Sequence, residues 1–224
     1  MAGWLSSATL PILRGPLAGK RWLLASRLNF FLGTYEPEQT QAFQKAIQPG
    51  NVIYDIGAHY GYYSVLASVL TGPSGQVFAF EPVPANIARL QTHLRLNHCS
   101  NVSVEKCAIS DQPGTAGFDN RGGSGTGHLA EDGALEVRTN SLDALGVRLP
   151  APQVIKIDVE GSELLALKGG EHTIRSSLPT IFLSTHGEFI KQKCFNLLDS
   201  WGYEFTQLHR DDYLLVPRVR PFSA

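Results

Sequence analysis

The stretch NVIYDIGAHYGYYSVL, Asn51 to Leu66, leaves the chain few folds to choose from. It holds an apolar run containing an acid, Asp55, then two glycines, Gly57 and Gly61, then a second apolar run. That is how a buried strand turns sharply into a helix whose first amides face a ligand. The glycines of Gly57-Ala58-His59-Tyr60-Gly61 let backbone approach a ligand closely. The second close-approach glycine of a G-x-G-x-x-G loop is missing, which disfavours a pyrophosphate ligand and with it an oxidoreductase. The stretch reads as a nucleoside-cofactor loop; a plain strand-to-helix turn with an exposed acid fits the same residues.

The chain around it keeps one rhythm. Glu38 to Ile47 is helical, with Phe43, Ala46 and Ile47 on one face and Pro49-Gly50 as the stop. QVFAFEP is a second apolar strand ending in Glu81-Pro82, 24 residues beyond Gly57, where a carboxylate can accept both ribose hydroxyls. Pro84 to Asn97 is a helix burying Ile87, Leu90, Leu94 and the stem of Arg95. VSVEKCAIS supplies a third strand, so the pattern is that of a parallel sheet.

Between Asp111 and Thr139 the alternation lapses into DQPGTAGFDNRGGSGTGHLAEDG, with seven glycines and few apolar anchors. We read a flexible surface excursion, an ordinary linker before a mobile substrate lid. It lacks the Lys-Ser/Thr ending of a phosphate loop. LEVRTNSLDAL gives a short strand and a short helix capped by Ser141 or Asn140. The rhythm resumes with the strand Val154 to Val159 and a helix closed by Gly169-Gly170, then the strand TIFLSTHGE. FIKQKCFNLLDSWG is an amphipathic helix, and YEFTQLHRDDYLLVPR a hairpin turning at Arg210-Asp211-Asp212.

With 224 residues, 43% of them hydrophobic, the length suits one domain. Nineteen Lys and Arg against twenty Asp and Glu, with no block of one sign, argue against nucleic acid as substrate. Cys99, Cys107 and Cys194 lack metal-ligand spacing and suit reduced packing thiols of a cytoplasmic protein. Pro11, Gly15 and Pro16 interrupt the N-terminus too early for a signal peptide, and no apolar run reaches the roughly 20 residues of a membrane span. Trp22, Leu23, Leu24, Phe30 and Phe31 line a substrate pocket, lie on a membrane surface or simply cover the domain; the last is favoured. Apolar residues 22 to 32 would serve a dimer equally, and the sequence leaves the oligomeric state open.

Taken together, the chain resembles the FkbM-type methyltransferases, within the class I fold that uses S-adenosylmethionine. The matching pieces are GTYEPE at 33 to 38, PGNVIYDIGAHYGYYS at 49 to 64, FAFEPVPAN at 78 to 86, VEKCAISDQPG at 104 to 114, NSLDAL at 140 to 145 and IKIDVEGSELLALKGG at 155 to 170. They cover about residues 33 to 186, and their order is more specific than any one of them. The resemblance implies an α/β, Rossmann-like, mostly parallel seven-stranded sheet closed by the C-terminal antiparallel hairpin, with helices on both faces. The residue pattern gives 1–48 as an N-terminal extension and helix packed on the methyltransferase core of 49–224, a single domain overall. Cofactor contacts are expected from Tyr35 or Glu36, Asp55, Gly57, Glu81 and the backbone around Ala108, joined by Ala58, Gly61, Pro82 and Asp158. Family members often have Asn at His59 and Glu where this chain has Ser184-Thr185-His186, so roles carry over poorly there.

The implied reaction is O-methylation of a small hydroxyl-bearing acceptor: a sugar, glycan precursor or secondary metabolite. Methylation of nitrogen or a carboxylate, and a nucleoside-binding module without catalysis, remain alternatives. In-line methyl transfer rests on alignment and a dry pocket, and a hydroxyl nucleophile gains from a base within hydrogen-bond reach. His186 is the first candidate, since an unperturbed imidazole titrates at about pH 6.5, and His59 the second; either would equally serve a structural role. Asp158 and Glu160 fall at a strand's C-terminal end. They could ligate a metal with His186, position the acceptor or cap the next helix, and the last two readings are preferred to a metal. Lys156 shares their parity and neutralises one of them.

Overall fold

The computed structural model describes residues 8–24, 28–121, 127–130 and 132–218. The chain opens with a two-stranded antiparallel pair, β1 (Thr9–Pro11) and β2 (Arg21–Leu23), and two helices, α1 (Leu28–Leu32) and α2 (Pro37–Ala46). Strand–helix units follow: β3 (Val52–Ile56), α3 (Tyr62–Thr71), β4 (Gln76–Phe80), α4 (Pro84–Leu96) and β5 (Val102–Glu105). Next come β6 (Ala108–Ile109), β7 (Gly114–Asp119), β8 (His128–Leu129), β9 (Leu135–Asn140) and the short helix α5 (Leu142–Leu145), capped by the Ser141 side chain. The chain continues through β10 (Val154–Ile157), α6 (Glu163–Lys168), α7 (Glu171–Ser177), β11 (Thr180–Ser184), α8 (Glu188–Ser200), β12 (Tyr203–His209) and β13 (Asp212–Pro217).

The main sheet has seven strands in the order β12-β13-β11-β10-β3-β4-β5. Its five inner and far strands run parallel, and β13 pairs antiparallel with both β11 and β12, as the hairpin pattern predicts. Strand periodicity divides the interior into two cores. Ile53, Val154 and Phe182 join one apolar cluster, while Tyr54, Ile56, Ile155, Ile157, Ile181 and Leu183 join the other. By the same alternation Asp55, Lys156 and Ser184 fall on the face of the first cluster, at the strands' C-terminal ends. Polar side chains thus collect at one edge of an apolar sheet.

Three expectations are corrected here. VSVEKCAIS is not one strand: β5 ends at Glu105, and Ala108–Ile109 leaves the main sheet to pair in parallel with β9. The glycine-rich stretch from Asp111 to Thr139 is not a plain surface linker, because its described residues build a second sheet in the order β6-β9-β7-β8. Phe118 and Val137 anchor it against Val83 and Ala108. Gly114 and Gly117 lie within a strand and blank the period-two pattern there, while Gly133 lets its loop reach β7, where an added Cβ would come within 2.2 Å of Phe118 N. Gly122, Gly123 and Gly125 lie outside the described residues. Third, Arg95 is exposed; the inward positions beside Leu94 are His93 and Asn97.

His93 ties three segments together. Its ring stacks on Trp22 at 3.7 Å, its Nδ1 lies 2.7 Å from Tyr60 O, and its Nε2 accepts from Leu23 N–H at 3.2 Å. Trp22, Ile12, Leu17, Phe30 and Phe31 are buried in the first core, so the N-terminal segment covers the sheet there; Leu24 is partly exposed. Burial outweighs the bond to Tyr60 O and lowers the His93 ring to about 4. The unfolded chain takes up this proton as pH falls below about 6.5, whereas the native chain does not until about 4. Stability from this group is therefore present above the window and lost as pH falls through it, on the order of 3 kcal/mol in all. Melting curves at about pH 7.5 and about pH 5 should show a smaller acid-side drop in His93→Gln than in wild type; equal drops contradict the assignment.

The three cysteines are buried and unpaired. Burial pushes Cys107 up to about 11 and Cys194 up to about 12, which leaves them as packing groups. No helix among the described residues is long and apolar enough to cross a membrane.

Candidate active site

At the end of β3, Asp55 is buried and accepts a 2.5 Å hydrogen bond from Ser64 Oγ in the first turn of α3. Burial raises its carboxyl above the ordinary range, against the lowering pull of Lys156 and Ser64. The chain then turns at Gly57, φ +83°, where an added Cβ would meet Asp158 O at 1.9 Å. Gly57 N–H and Ala58 N–H both donate to Phe80 O, each at 3.0 Å, locking the loop between β4 and the chain beyond β10. Gly61, φ +89°, is needed for helix packing, because a Cβ there would come within 2.3 Å of Leu90 Cδ1. His59 holds φ +50°, a left-handed conformation that Asn adopts with least cost among side chains, and its ring stacks on Tyr60 at 3.7 Å.

Glu81 is buried at the end of β4. Its Oε2 accepts from His59 N–H at 2.9 Å, and its Oε1 from Val83 N–H at 2.9 Å and Asn86 Nδ2 at 3.1 Å. A carboxylate has about four acceptor sites, so roughly one remains, on Oε2. In this arrangement Glu81 has capacity for one ribose hydroxyl rather than both, and it also staples the glycine loop to the start of α4. Burial raises its carboxyl against these three bonds.

Opposite lies the strand end of β10. Lys156, register partner of Asp55, is buried, with Nζ 2.9 Å from Asp158 Oδ2 and 4.6 Å from the centre of the Tyr63 ring. Burial opposes its charge, but Asp158, Glu36 and Asp55 more than offset this and raise it. For Asp158, too, burial is outweighed, here by Lys156, and its carboxyl is lowered. His186, just beyond β11, faces the same place: Nε2 is 3.3 Å from Glu160 Oε2 and 3.9 Å from Asp158 Oδ1. Its Nδ1 lies 2.7 Å from Oε1 of Glu163, which is fully buried.

Two expectations about this corner change. Asp158 and Glu160 do not cap α6: no side chain caps it at Ser162, and Glu163 Oε1 takes the Gly161 N–H at 2.9 Å. The His186 ring does not titrate as an unperturbed imidazole. Burial pulls it down, but the bond to Glu163 and the charges of Asp158 and Glu160 prevail and raise it to about 9. The three carboxylates around it favour its protonated form.

These groups line one cavity of about 400 Å³. Its wall includes Tyr35, Glu36, Asp55, Gly57, Ala58, Glu81, Pro82, Ala108 and Asp158 from the expected cofactor set, and His59, Glu160 and His186 from the catalytic one. Of the residues expected from the sequence only Gly61 stands back, against Leu90. The wall also holds Tyr62, Tyr63, Asn86, Phe118, Leu129 and Asp212, which sequence reasoning missed. Asn86 stands in the FAFEPVPAN piece and Asp212 at the hairpin turn, so both had a signal; Phe118 and Leu129 were hidden in the glycine-rich stretch.

The cavity suits a cationic nucleoside. Carboxylates of Glu36, Asp55 and Asp158 and the tyrosine rings favour a positive centre, Gly57 brings backbone close, and Glu81 retains an acceptor. The volume lies within the range of about 300–1,000 Å³ typical of ligand sites.

A family model described as the methyltransferase FkbM domain matches residues 55–211. The chain belongs to the FkbM methyltransferase family. It is an S-adenosylmethionine-dependent methyltransferase with S-adenosylmethionine as cofactor. Among characterised relatives, this FkbM chain is 28% identical over 174 residues to the hexuronic acid methyltransferase AglP of Haloferax volcanii, a match covering 75% of this chain and 70% of that protein. A solved FkbM methyltransferase of Methylobacillus flagellatus superposes with a TM-score of 0.57 at 21% identity. That match covers 84% of this chain and 52% of the other, so the chain spans about half that protein's length. A Thermotoga maritima S-adenosylmethionine-dependent O-methyltransferase superposes at 0.53 with 12% identity, covering 84% of this chain and 67% of that one. The two superpositions share the class I methyltransferase fold with this chain.

Proposed function

We propose that this FkbM-family enzyme methylates a hydroxyl oxygen of a sugar or a sugar-like small molecule. One observation carries the reading: the residues expected to hold the donor and a hydrogen-bonding corner, Asp158–Glu160–His186, line the same cavity. The name of the Haloferax relative supports a sugar acid as acceptor class.

Bound S-adenosylmethionine supplies an electrophilic methyl whose C–S bond breaks as a C–O bond forms. Asp55, Glu81, the loop backbone at Gly57 and Ala58, Tyr35, Glu36, Pro82 and the backbone at Ala108 hold and orient the donor. Phe30 and the small sheet's Phe118 and Leu129 give the cavity wall apolar surface, and water excluded by it strengthens the polar contacts nearby. The acceptor hydroxyl meets Glu160, whose carboxyl burial raises above the ordinary range. A raised carboxylate is a better proton acceptor than an ordinary one, and the proton leaves the hydroxyl as the new bond forms. His186 Nε2, 3.3 Å from Glu160 Oε2, holds that carboxylate in place. The described residues before position 49 act as part of one methyltransferase domain, since Phe30, Tyr35 and Glu36 belong to the cavity wall. Buried, unpaired cysteines support a reducing, cytoplasmic setting.

Incubation with methyl-labelled S-adenosylmethionine and a panel of hexuronic acids, neutral hexoses and their glycosides tests the proposal. The expected product carries the label as a base-stable methyl ether, located by mass spectrometry and NMR. Label found only in a base-labile methyl ester, or no transfer by protein that binds S-adenosylhomocysteine, contradicts it.

A further inference from the structure

The Asp158–Glu160–His186 corner has the composition and spacing of a cation site. One ligand atom from each residue can be chosen so that all lie within 4.8 Å of one another. His186 Nε2 stands 3.3 Å from Glu160 Oε2 and 3.9 Å from Asp158 Oδ1. Cis ligands about 2.1 Å from an octahedral ion sit about 3 Å apart, so small side-chain shifts bring these three atoms onto one face of such an ion.

A second feature points the same way from outside the cluster. Glu163 is fully buried, its Oε1 fixes His186 Nδ1 at 2.7 Å, and its Oε2 is buried without a hydrogen-bond partner among the described residues. A carboxylate bonded to the far nitrogen of a histidine is the arrangement that orients a metal-binding imidazole and raises its basicity. Lys156 meanwhile bonds Asp158 through Oδ2, which leaves Oδ1 facing His186. The corner holds three carboxylates, Asp158, Glu160 and Glu163, with Lys156 as their lysine partner. A dication held through a neutral Nε2 brings that set to neutrality.

We propose that Asp158 Oδ1, Glu160 Oε2 and His186 Nε2 bind one divalent cation of the Mn²⁺ type. The proposal rests on reading this cavity as the acceptor site. One imidazole and two carboxylates suit a hard-to-borderline dication better than a soft one, and a three-residue face leaves positions open. Those positions accept oxygens of the acceptor: the hydroxyl to be methylated together with a neighbouring hydroxyl or a sugar carboxylate. The cation then orients the acceptor and makes its hydroxyl more acidic, and it helps an anionic sugar enter a wall on which Glu36, Asp55, Asp158, Glu160 and Asp212 stand with Lys156. With the ion bound, Glu160 acts as a ligand, and the hydroxyl proton passes to water in the cavity mouth.

Calorimetric titration of Mn²⁺ into chelator-stripped protein, without donor or acceptor, tests the site independently of the reaction. The expected result is one binding site, weakened at least tenfold in Glu160→Gln and in His186→Ala, with both variants still binding S-adenosylhomocysteine. Pulsed EPR of the wild-type Mn²⁺ complex should show nitrogen coupling from one imidazole, a readout that needs no variant. Absence of Mn²⁺ binding, unchanged affinity in the two variants, or a spectrum without nitrogen coupling overturns the proposal. Full methyl-ether formation in excess chelator overturns the metal while leaving the proposed function intact. Mn²⁺ binding with no sugar methylated keeps the ion site and removes the proposed function instead.

Discussion

Gly57→Ala is expected to lower the melting temperature sharply and to abolish tight binding of S-adenosylhomocysteine. The residue sits at φ +83°, and an added Cβ would stand 1.9 Å from Asp158 O. That oxygen belongs to backbone already anchored by the 3.0 Å bond from Asp158 N–H to Ile56 O, so it has little room to retreat. Left-handed strain alone costs about 1–3 kcal/mol in a non-glycine residue. Separating the loop from the chain beyond β10 brings the expected loss to roughly 3 kcal/mol or more. The same shift would move the backbone of Gly57 and Ala58 away from the donor pocket. Gly161→Ala is the control: its φ is +105°, but among the described residues nothing lies within 4 Å of an added Cβ, so only backbone strain applies. Thermal melts and calorimetry on the pair check this, and equal effects at the two positions would contradict the account of the loop.

Glu81→Ala is expected to weaken S-adenosylhomocysteine binding by tenfold or more, on the order of 1.4 kcal/mol or above. Two effects add. The donor loses an acceptor at Glu81 Oε2, and three buried donors, His59 N–H, Val83 N–H and the Asn86 amide, lose their partner. Each unsatisfied buried group costs about 1–3 kcal/mol, so the loop loosens as well as losing a contact. Asp55→Ala should match the tenfold loss, because it removes a buried carboxylate and frees the Ser64 hydroxyl at the start of α3. Wild-type affinity in either variant would remove that residue from the donor site.

The sequence made the main sheet legible because its strands are short apolar runs, each ended by a polar residue and followed by a helix with clear stops. Asp55, Glu81 and Asp158 could be placed at one edge for the same reason: parallel strands end together. What escaped was whatever depends on partners distant in sequence. The role of Glu163 follows from a contact with His186, 23 residues away, and its exchange with a simple helix-capping role cannot be told from the local pattern. His186 read as an ordinary imidazole because its three carboxylate neighbours are brought to it only by folding. His93 looked like one more residue on a helix, yet its ring sits between Trp22 and the loop carbonyl of Tyr60. The small sheet was missed because its glycines, which permit close strand and loop contacts, also erase the alternation that would announce a strand.

In the proposed enzyme the donor lies at the ends of β3 and β4 with its sulfur turned toward Asp158, Glu160 and His186. A crystal structure with S-adenosylhomocysteine tests it most directly. The expected result is one ribose hydroxyl on Glu81 Oε2, the ligand passing over Gly57 and Ala58, and the sulfur facing the Asp158–Glu160–His186 corner. A ligand bound elsewhere, or one whose sulfur points away from that corner, would contradict it.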